Sequence, residues 1–321
     1  MATRIVIAGA HGFMGTRFSA LYRQAGDTVA TIGRRDADAV WGDTAAITRL
    51  IDGADVLVNL AGKSVDCRYG PANRAEILRS RVETTQALGA AVSGAENPPP
   101  VWLNASTATI YRHAEDRPMT ESAGELGEGF SVSVARAWED AFFAPEVPAT
   151  RRVAMRTAIV LGDGSALIPL LRLARLGVGG AHLDGRWPST AARRRAGTYH
   201  AFRARGGRQH FSWVHLDDVV GSVRFLADRD DIEGVVNVTS PNPTDDATLM
   251  RTLRRVLGLP FGIPLPRWTL ELGSAAIRTE TELVLKSRWV LPERLVQAGY
   301  RFRYPDLEQA LRQIIETRRA A

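Results

Sequence analysis

The chain has 321 residues, of which 45% are hydrophobic and 24% are charged, which predicts a globular protein of about two domains. Its formal net charge is +6, but seven arginines and no acidic residue lie between Arg186 and Arg208, so removing those seven leaves −1 for the rest. No apolar run approaches the roughly 20 residues of a membrane helix, and a single cysteine, Cys67, excludes an intrachain disulfide and a cysteine-based zinc site.

The sequence contains neither a recognisable targeting signal nor a metal-binding spacing of histidines. The first four residues lead directly into an apolar strand-like run and a glycine, without the apolar segment and small-residue cleavage site of a signal peptide. The six histidines include no pair with HxxxH spacing, so we expect no metal site. These features favour a cytoplasmic protein with no membrane partner.

Apolar runs of strand length alternate with amphipathic stretches of helix length through the first half of the chain. The predicted strands cover 4–8, 28–32, 54–60, 101–105 and 152–161, and the predicted helices cover 13–24, 72–92 and 132–143. This alternation is typical of βαβ units, so the sequence predicts an α/β fold with a doubly wound parallel sheet.

The character of the sequence changes after residue 161. A predicted helix over 167–176 leads into a segment rich in glycine and arginine, 177–208, which we interpret as a mobile loop or insertion. A strand over 209–214, a helix over 216–227 and a strand over 235–238 are expected to return to the sheet. From residue 241 onward come a helix over 245–257 and further helices.

A glycine-rich turn follows the first predicted strand and opens the first predicted helix. Glycines in this position permit a tight turn and a close approach of the backbone to a pyrophosphate, whose charge meets the positive end of the helix dipole. The motif therefore predicts dinucleotide binding in a Rossmann-type sheet. Its expected cofactor-binding residues are Gly9, His11, Gly12, Phe13, Met14 and Gly15.

The ends of the second and third strands indicate which dinucleotide binds. An acidic residue after the second strand commonly holds the ribose of NAD, whereas arginine suits the 2′-phosphate of NADP. Here the strand is followed by Arg34 and Arg35, with no acidic residue before Asp36, so the sequence favours NADP. The third strand ends in Asn-Leu-Ala-Gly, and Leu60, Ala61 and Gly62 are expected beside the adenosine half.

These motifs together resemble the extended branch of the short-chain dehydrogenase/reductase superfamily. The stretches 207–219, 290–295 and 298–311 are similar to the atypical "epimerase family" group within it, which carries a characteristic C-terminal domain of unknown function. The resemblance covers nearly the whole chain and departs at 183–206, where that group usually has a short loop. We therefore interpret 183–206 as an arginine-rich insertion.

The resemblance implies two domains and an NADP-binding fold. The dinucleotide-binding Rossmann domain would comprise 1–162 and 209–240, and a smaller, mainly helical substrate-side domain would comprise 163–208 and 241–321. The substrate would lie between the carboxyl edge of the sheet and the helices after residue 241. Extended members of the superfamily are often homodimers through the helices that flank the sheet, and the same is expected here.

The usual catalyst of the superfamily is a tyrosine followed four residues later by a lysine, which lowers the pKa of the phenol. The chain contains two lysines, Lys63 and Lys286, and the residues four positions earlier are Asn59 and Glu282. The dyad is therefore absent. By resemblance, Ser131 stands at the tyrosine position.

Polar residues after the predicted strand over 101–105 are the candidates for catalysis in place of the dyad. The substrate-binding Ser/Thr of the superfamily is expected as Ser106 or Thr107, after the strand predicted over 101–105. Tyr111 and His113 follow closely, and Tyr111 is the preferred proton donor, although it is equally interpretable as a packed aromatic. Asp217 and Asp218 open a predicted helix, where capping and the helix dipole favour negative charge, so their role is expected to be structural.

Three functions remain open at this stage. The first is an NADP-dependent oxidoreductase or epimerase-type enzyme acting on a carbonyl or carbinol carbon of an unknown small-molecule substrate. The alternative, favoured by loss of the dyad, is an NADP(H)-binding sensor or regulatory protein without turnover. Aromatic residues among the arginines of 183–206 are also typical of nucleic-acid surfaces, but we favour a flexible loop near the substrate mouth.

Overall fold

A parallel sheet flanked by helices organises the chain in this computed structural model, which describes residues 2–164, 166–276 and 279–320. The strands are β1 (Arg4–Ala8), β2 (Thr28–Gly33), β3 (Ala39–Val40), β4 (Val56–Asn59), β5 (Val101–Thr107), β6 (Arg151–Thr157), β7 (Ile159–Leu161), β8 (His210–Phe211), β9 (Trp213–His215), β10 (Gly234–Val238) and β11 (Thr244–Asp245). The helices are α1 (Phe13–Gln24), α2 (Thr44–Ile51), α3 (Pro71–Ser93), α4 (Phe130–Phe143), α5 (Leu167–Arg175), α6 (Ala191–Arg195), α7 (Leu216–Ala227), α8 (Asp246–Leu257), α9 (Arg267–Ala276), α10 (Glu282–Leu285), α11 (Glu293–Gln297) and α12 (Leu307–Ala320). Within these ranges no helix has both the length and the apolar character needed to cross a bilayer.

The main sheet has seven strands in the order β10-β6-β5-β4-β1-β2-β3, and each neighbouring pair is parallel. The strand order therefore reverses between β1 and β4, which confirms the predicted doubly wound α/β fold. In such sheets ligands bind in the crevice outside the carboxyl ends of the strands at this reversal.

Both faces of the sheet are covered, which explains the unbroken apolar character of its central strands. In β1, Ile5 and Ile7 pack into the core beneath α1 and α7, whereas Val6 and Ala8 pack on the opposite face beneath α2 and α3. This alternation follows from the two-residue period of a strand. The first strand and first helix have the predicted bounds.

Two of the predicted strands do not lie wholly in the main sheet, so these two predictions are wrong. The run 152–161 is divided, because β6 ends at Thr157 and β7 pairs with β9 in a separate two-stranded sheet. The run 209–214 also lies outside the main sheet, since β8 pairs with β11. Ala158 donates its N–H to the carbonyl of Val238 and marks the point where the chain leaves the main sheet. The elements β3 and α2 were not predicted.

The arginine-rich segment packs against the C-terminal helices instead of extending as a free loop. It contains α6, and Arg193 lies 3.3 Å from the carboxylate of Glu271 and 3.7 Å from that of Glu280. At the start of the segment, Asp184 pairs with the buried Arg267 at 2.7 Å. These contacts correct the expectation of a mobile loop, because charged side chains from both sides hold the segment in place.

Asp218 joins α7 to the C-terminal part of the chain. Its carboxylate accepts hydrogen bonds from the backbone N–H groups of Arg303 at 2.6 Å and Tyr304 at 2.9 Å, and it is buried. Its neighbour Asp217 instead forms an ion pair with the half-exposed Arg17 at 2.8 Å. The structural role expected for both aspartates is confirmed, although Asp218 binds a distant segment and not its own helix end.

The two neighbouring aspartates provide a matched test of stability. Asp218→Asn replaces one acceptor oxygen by a donor facing a backbone N–H, and we expect it to reduce the free energy of unfolding by about 2 kcal/mol. Asp217→Asn weakens a partly solvated ion pair and should cost under about 1 kcal/mol. Urea denaturation followed by circular dichroism checks both values, and equal losses would contradict the assigned role of Asp218.

Candidate functional site

The loop between β1 and α1 approaches the neighbouring backbone too closely for side chains. Gly9 has φ +82°, and a Cβ built on it would lie 2.8 Å from the backbone nitrogen of Ala61. A Cβ on Gly15 would lie 2.7 Å from the Cα of Ala10. Glycine is therefore required at both positions, as expected for a turn that brings its backbone close to a ligand.

The first turn of α1 is open to an anion. Its N-cap residue, Gly12, makes no side-chain hydrogen bond, and no acidic residue occurs in that turn. Backbone N–H groups at such a helix end are free to bind a phosphate. Phe13 packs against the loop after β7, since its ring would meet a Cβ on Gly162 at 3.0 Å or on Gly164 at 2.8 Å.

The end of β2 presents two arginines next to this turn. Arg34 and Arg35 are exposed, and Arg35 lies 4.0 Å from Asp36 in a pair whose side chains are 91% and 86% exposed. Asp38 is committed to the loop itself, because its carboxylate accepts hydrogen bonds from the backbone N–H and the hydroxyl of Thr31, both at 2.8 Å. The positive charge at this strand end is therefore available to a bound phosphate.

Two further predicted cofactor-binding residues are His11, in the loop between β1 and α1, and Met14, in the first turn of α1. The exposed His11 places its Nδ1 3.6 Å from the position of a Cβ on Gly33, at the end of β2. Met14 packs against the core beneath α1. A cleft of about 640 Å³ runs alongside, lined by residues that include His11, Thr16 and Asp38.

A buried asparagine shapes the loop after β4. The Asn59 side chain accepts a hydrogen bond from the N–H of Ala61 at 3.0 Å and donates to Asn104 at 2.7 Å and to Thr85 at 3.2 Å. These bonds hold Leu60, Ala61 and Gly62 against the glycine turn at the carboxyl ends of β1 and β4. The predicted cofactor-binding residues therefore converge on one edge of the sheet, which fits a dinucleotide with an additional phosphate near β2.

Tyr111 is not placed to exchange protons with a substrate. It is 1% exposed, and its hydroxyl donates to Asn237 at 2.9 Å and accepts from Arg156 at 3.1 Å. Burial raises the pKa of the phenol. The preference for Tyr111 as proton donor is therefore corrected: it is a packed aromatic whose hydroxyl is used within the core.

Ser106 is also committed to the core. Its hydroxyl donates to Glu139 at 2.6 Å, and Glu139 forms a bidentate pair with Arg156 at 2.7 and 2.9 Å. This pair connects α4 to β6, and sequence reasoning missed it because its partners are 17 residues apart in different elements. Buried charges require such pairing to offset their desolvation.

Of the three predicted catalytic residues, Ser106 and Tyr111 are buried, and Thr107 is partly exposed to solvent. It lies at the end of β5 and is partly exposed, and its oxygen accepts a hydrogen bond from the N–H of Thr109 at 3.2 Å. Its hydroxyl hydrogen therefore remains able to reach an acceptor. Between Ser106 and Thr107, the structure favours Thr107 as the substrate-binding hydroxyl.

A second cleft, of about 410 Å³, opens beyond β5, where the C-terminal part of the chain meets the loop before α4. We call it the Lys286 cleft. Sequence reasoning did not assign it, because its residues come from four separate stretches of the chain. It is lined by Arg112, His113, Leu126, Gly127, Glu128, Phe202, Glu282 and Lys286.

Lys286 and Glu282 are the buried charges of this cleft. The Lys286 ammonium donates to the carbonyl of Thr109 at 2.7 Å, and burial lowers its pKa to about 8. Burial alone would raise the pKa of Glu282, but a hydrogen bond from His200, 3.3 Å away, and the nearby positive charges outweigh it and lower the value to about 2. The Ser131 hydroxyl donates to the same carboxylate at 2.7 Å.

Aromatic stacking holds the arginine-rich segment over this cleft. The ring of Phe202 lies between two nearly parallel imidazoles, 4.8 Å from His113 and 5.1 Å from His200. Burial lowers the pKa of His113 to about 4, so its ring is neutral near pH 7, and its Nδ1 accepts the N–H of Ser287 at 3.0 Å. No cluster of three or more metal-ligating side chains occurs among the described residues.

Two family models match the chain at opposite ends. Residues 5–131 match the NAD dependent epimerase/dehydratase family, and residues 265–314 match a domain of unknown function, DUF1731. The first match covers the glycine turn, the arginine pair and the loop after β4. The second covers Glu282 and Lys286.

Relatives extend this similarity over the full length. The chain is 29% identical to epimerase family protein YfhF of Bacillus subtilis, with 98% of this chain and 99% of that protein covered. It is also 29% identical to epimerase family protein SDR39U1 of Bos taurus, with 97% and 99% covered.

Solved structures of other proteins share this fold. The human epimerase family protein SDR39U1 (isoform 2), crystallised with NADPH, is 27% identical and superposes with a TM-score of 0.83 over 98% of this chain and 99% of that chain. MoeE5 in complex with UDP-glucuronic acid and NAD is 20% identical with a TM-score of 0.72 over 99% and 100%, a likeness of fold alone. The chain therefore carries a region that matches the NAD dependent epimerase/dehydratase family and one that matches DUF1731, and over its full length it is similar to epimerase family proteins.

Proposed function

We propose that this protein binds NADP(H) and acts as an oxidoreductase or epimerase-type enzyme on a carbonyl or carbinol substrate. The observation that carries the proposal is the glycine turn, where Gly9 and Gly15 leave no room for a Cβ and α1 begins without a side-chain cap. The NADPH bound in the human relative supports the choice of nucleotide.

Each part of the cofactor has residues suited to it. Gly9, Gly12 and Gly15 would hold the diphosphate at the start of α1, with His11, Phe13 and Met14 completing that turn. Arg34 and Arg35 would pair with the 2′-phosphate, and Leu60, Ala61 and Gly62 would lie beside the adenosine half. When bound, the nicotinamide supplies or accepts two electrons together with a hydrogen at a substrate carbon.

The chain itself must bind the substrate and exchange a proton with the substrate oxygen. Thr107, at the carboxyl end of β5, would donate a hydrogen bond to the substrate oxygen. The alternative function is a sensor that binds NADP(H) without turnover. The commitment of Ser106 and Tyr111 to the core favours that alternative, so turnover is the measurement that separates the two functions.

Nucleotide selectivity tests the cofactor proposal. In calorimetric titrations the protein should bind NADPH more tightly than NADH, because only NADPH offers a 2′-phosphate to Arg34 and Arg35. The double variant Arg34→Ala/Arg35→Ala should lose at least about 100-fold in NADPH affinity and leave NADH affinity unchanged, since each of the two charge-assisted hydrogen bonds contributes about 1.5–3 kcal/mol. Arg49→Ala, which removes an exposed arginine on α2, is the matched charge control. Equal losses for both nucleotides would refute the assignment.

Tyr111→Phe separates a structural from a catalytic role. Removing the hydroxyl leaves Oδ1 of Asn237 without its donor and Nη1 of Arg156 without its acceptor, and we expect the free energy of unfolding to fall by about 1–2 kcal/mol. NADPH affinity should be unchanged because Tyr111 lies in the core. A variant of unchanged stability that loses turnover would restore Tyr111 as the proton donor.

Thr107→Val tests the substrate-binding hydroxyl. NADPH oxidation should be measured against a panel of aldehydes, ketones and sugar nucleotides. For any substrate that is turned over, we expect kcat/KM to fall about 10- to 100-fold while NADPH affinity stays constant, because a hydrogen bond to the reacting oxygen is lost. Tight NADPH binding without turnover of any panel member would support the sensor alternative.

A further inference from the structure

The Lys286 cleft contains a buried ammonium that the proposed function does not use. Lys286 is 4% exposed, whereas Lys63, the other lysine of the chain, lies partly exposed in the loop after β4. Lysine is rarely buried, because its charged form loses hydration. A buried lysine that lines a cleft of about 410 Å³ therefore requires an explanation.

Two contacts place the segment that carries Lys286 beside the carboxyl end of β5 and the start of α4. Its ammonium is bonded to the carbonyl of Thr109, two residues beyond Thr107. One helical turn earlier, Glu282 accepts the hydroxyl of Ser131, the residue that stands at the tyrosine position of the superfamily. Lys286 is thus held between the end of β5 and the start of α4, where the missing phenol would act.

The ammonium retains the capacity to bind a ligand. It has three N–H donors, and the carbonyl of Thr109 takes one of them. The Glu282 carboxylate, which would be its natural ion-pair partner, is already engaged by Ser131 and lies beside His200. Two donors of Lys286 are therefore left for an acceptor that enters the cleft.

The surrounding charges set how Lys286 titrates. The groups that face it from the packed elements are Glu282, Arg288, His113, Arg112, Glu128 and His200. Burial and Arg288 lower the pKa of Lys286 and Glu282 raises it, with a balance of about 8. Near pH 7 the side chain is therefore protonated but is a much better acid than an ordinary lysine, as general-acid catalysis requires.

We propose that Lys286 binds the carbonyl oxygen of the substrate and delivers the proton that the superfamily takes from its tyrosine. This proposal rests on the proposed function. As the carbonyl carbon gains a hydride, which is one proton with two electrons, from the reduced cofactor, the C=O π pair becomes a lone pair on oxygen. One N–H bond of Lys286 breaks and an O–H bond forms, which leaves an alcohol and a neutral amine that regains its proton from water.

The lining of the cleft indicates the class of substrate. Glu128 presents a carboxylate at the cleft and Phe202 supplies apolar surface, whereas Arg112 is already paired with Asp116 and Glu125. A small aldehyde or ketone with hydroxyl groups matches this mixture better than a purely aliphatic one, because the hydroxyl groups can satisfy the polar side chains.

Reductive trapping tests whether a carbonyl compound reaches Lys286, and it does not depend on turnover. The native protein is incubated at pH 8 with glyceraldehyde and sodium cyanoborohydride, and the modified peptides are identified by mass spectrometry. A lysine with a lowered pKa is substantially neutral at this pH and forms an imine readily. We expect modification of Lys286 to exceed that of Lys63 at least 10-fold. Modification of Lys63 with none at Lys286 would overturn the proposal.

Variants then separate proton donation from packing. Lys286→Met should leave NADPH affinity unchanged and reduce kcat for hydroxylated aldehydes or ketones at least 100-fold. Lys286→Arg keeps the positive charge but cannot release a proton near neutral pH, so it should retain KM while kcat falls and the descending limb of the pH profile near pH 8 disappears. An arginine variant with wild-type kcat and an unchanged pH profile would refute the proton-donor role.

The two proposals fail in different ways. If the wild-type protein binds neither NADPH nor NADH, the proposed function is wrong, while the trapping experiment still reports whether Lys286 meets a carbonyl group. If NADPH binds and substrates are turned over but Lys286→Met retains full kcat, only the role of Lys286 is wrong. If Lys286→Met does not fold, the Lys286→Arg variant and the trapping experiment on the native protein test the role of Lys286 instead.

Discussion

The parallel alignment of the main sheet is the constraint on which the rest of the structure depends. Because every neighbouring pair is parallel, the carboxyl ends of all seven strands lie at one edge, and the reversal of strand order between β1 and β4 opens a crevice there. The glycine turn, Arg34 and Arg35, and the loop after β4 all follow strands that end at this edge. Their convergence is a property of the sheet and needs no direct contact between them.

Buried polar groups near the carboxyl ends of the strands must be hydrogen-bonded, and this requirement engages the hydroxyls of Ser106 and Tyr111. Glu139 and Arg156 form a buried pair between α4 and β6, and the hydroxyls of Ser106 and Tyr111 bond to its two members. These hydroxyls stabilise the core and are thereby unavailable for proton transfer. Thr107 is the partly exposed hydroxyl that remains at the end of β5, and the C-terminal part of the chain contacts the same region through the bond from Lys286 to the carbonyl of Thr109.

Local signals predicted the dinucleotide half of the fold closely. The first strand and the helices α1 and α7 have their predicted bounds, because each combines a clear hydrophobic period with a glycine turn or acidic start that marks its ends. The run 152–161 was misread, since apolar continuity does not show that β7 leaves the sheet for β9, a partner 54 residues later. The segment 177–208 is largely irregular, as its composition indicates, but composition did not show that Asp184 and Arg193 have partners on α9.

The sequence by itself determined the parallel fold, the glycine turn and the absence of the tyrosine–lysine dyad, because each depends on residues within a few positions of one another. The tertiary structure alone decided which hydroxyls are accessible and where the charges meet. Tyr111 and Thr107 are four residues apart, yet one is buried and the other open. The Lys286 cleft combines side chains more than 150 residues apart, such as those of Glu128 and Glu282. Such pairings depend on chain packing, which no local pattern encodes.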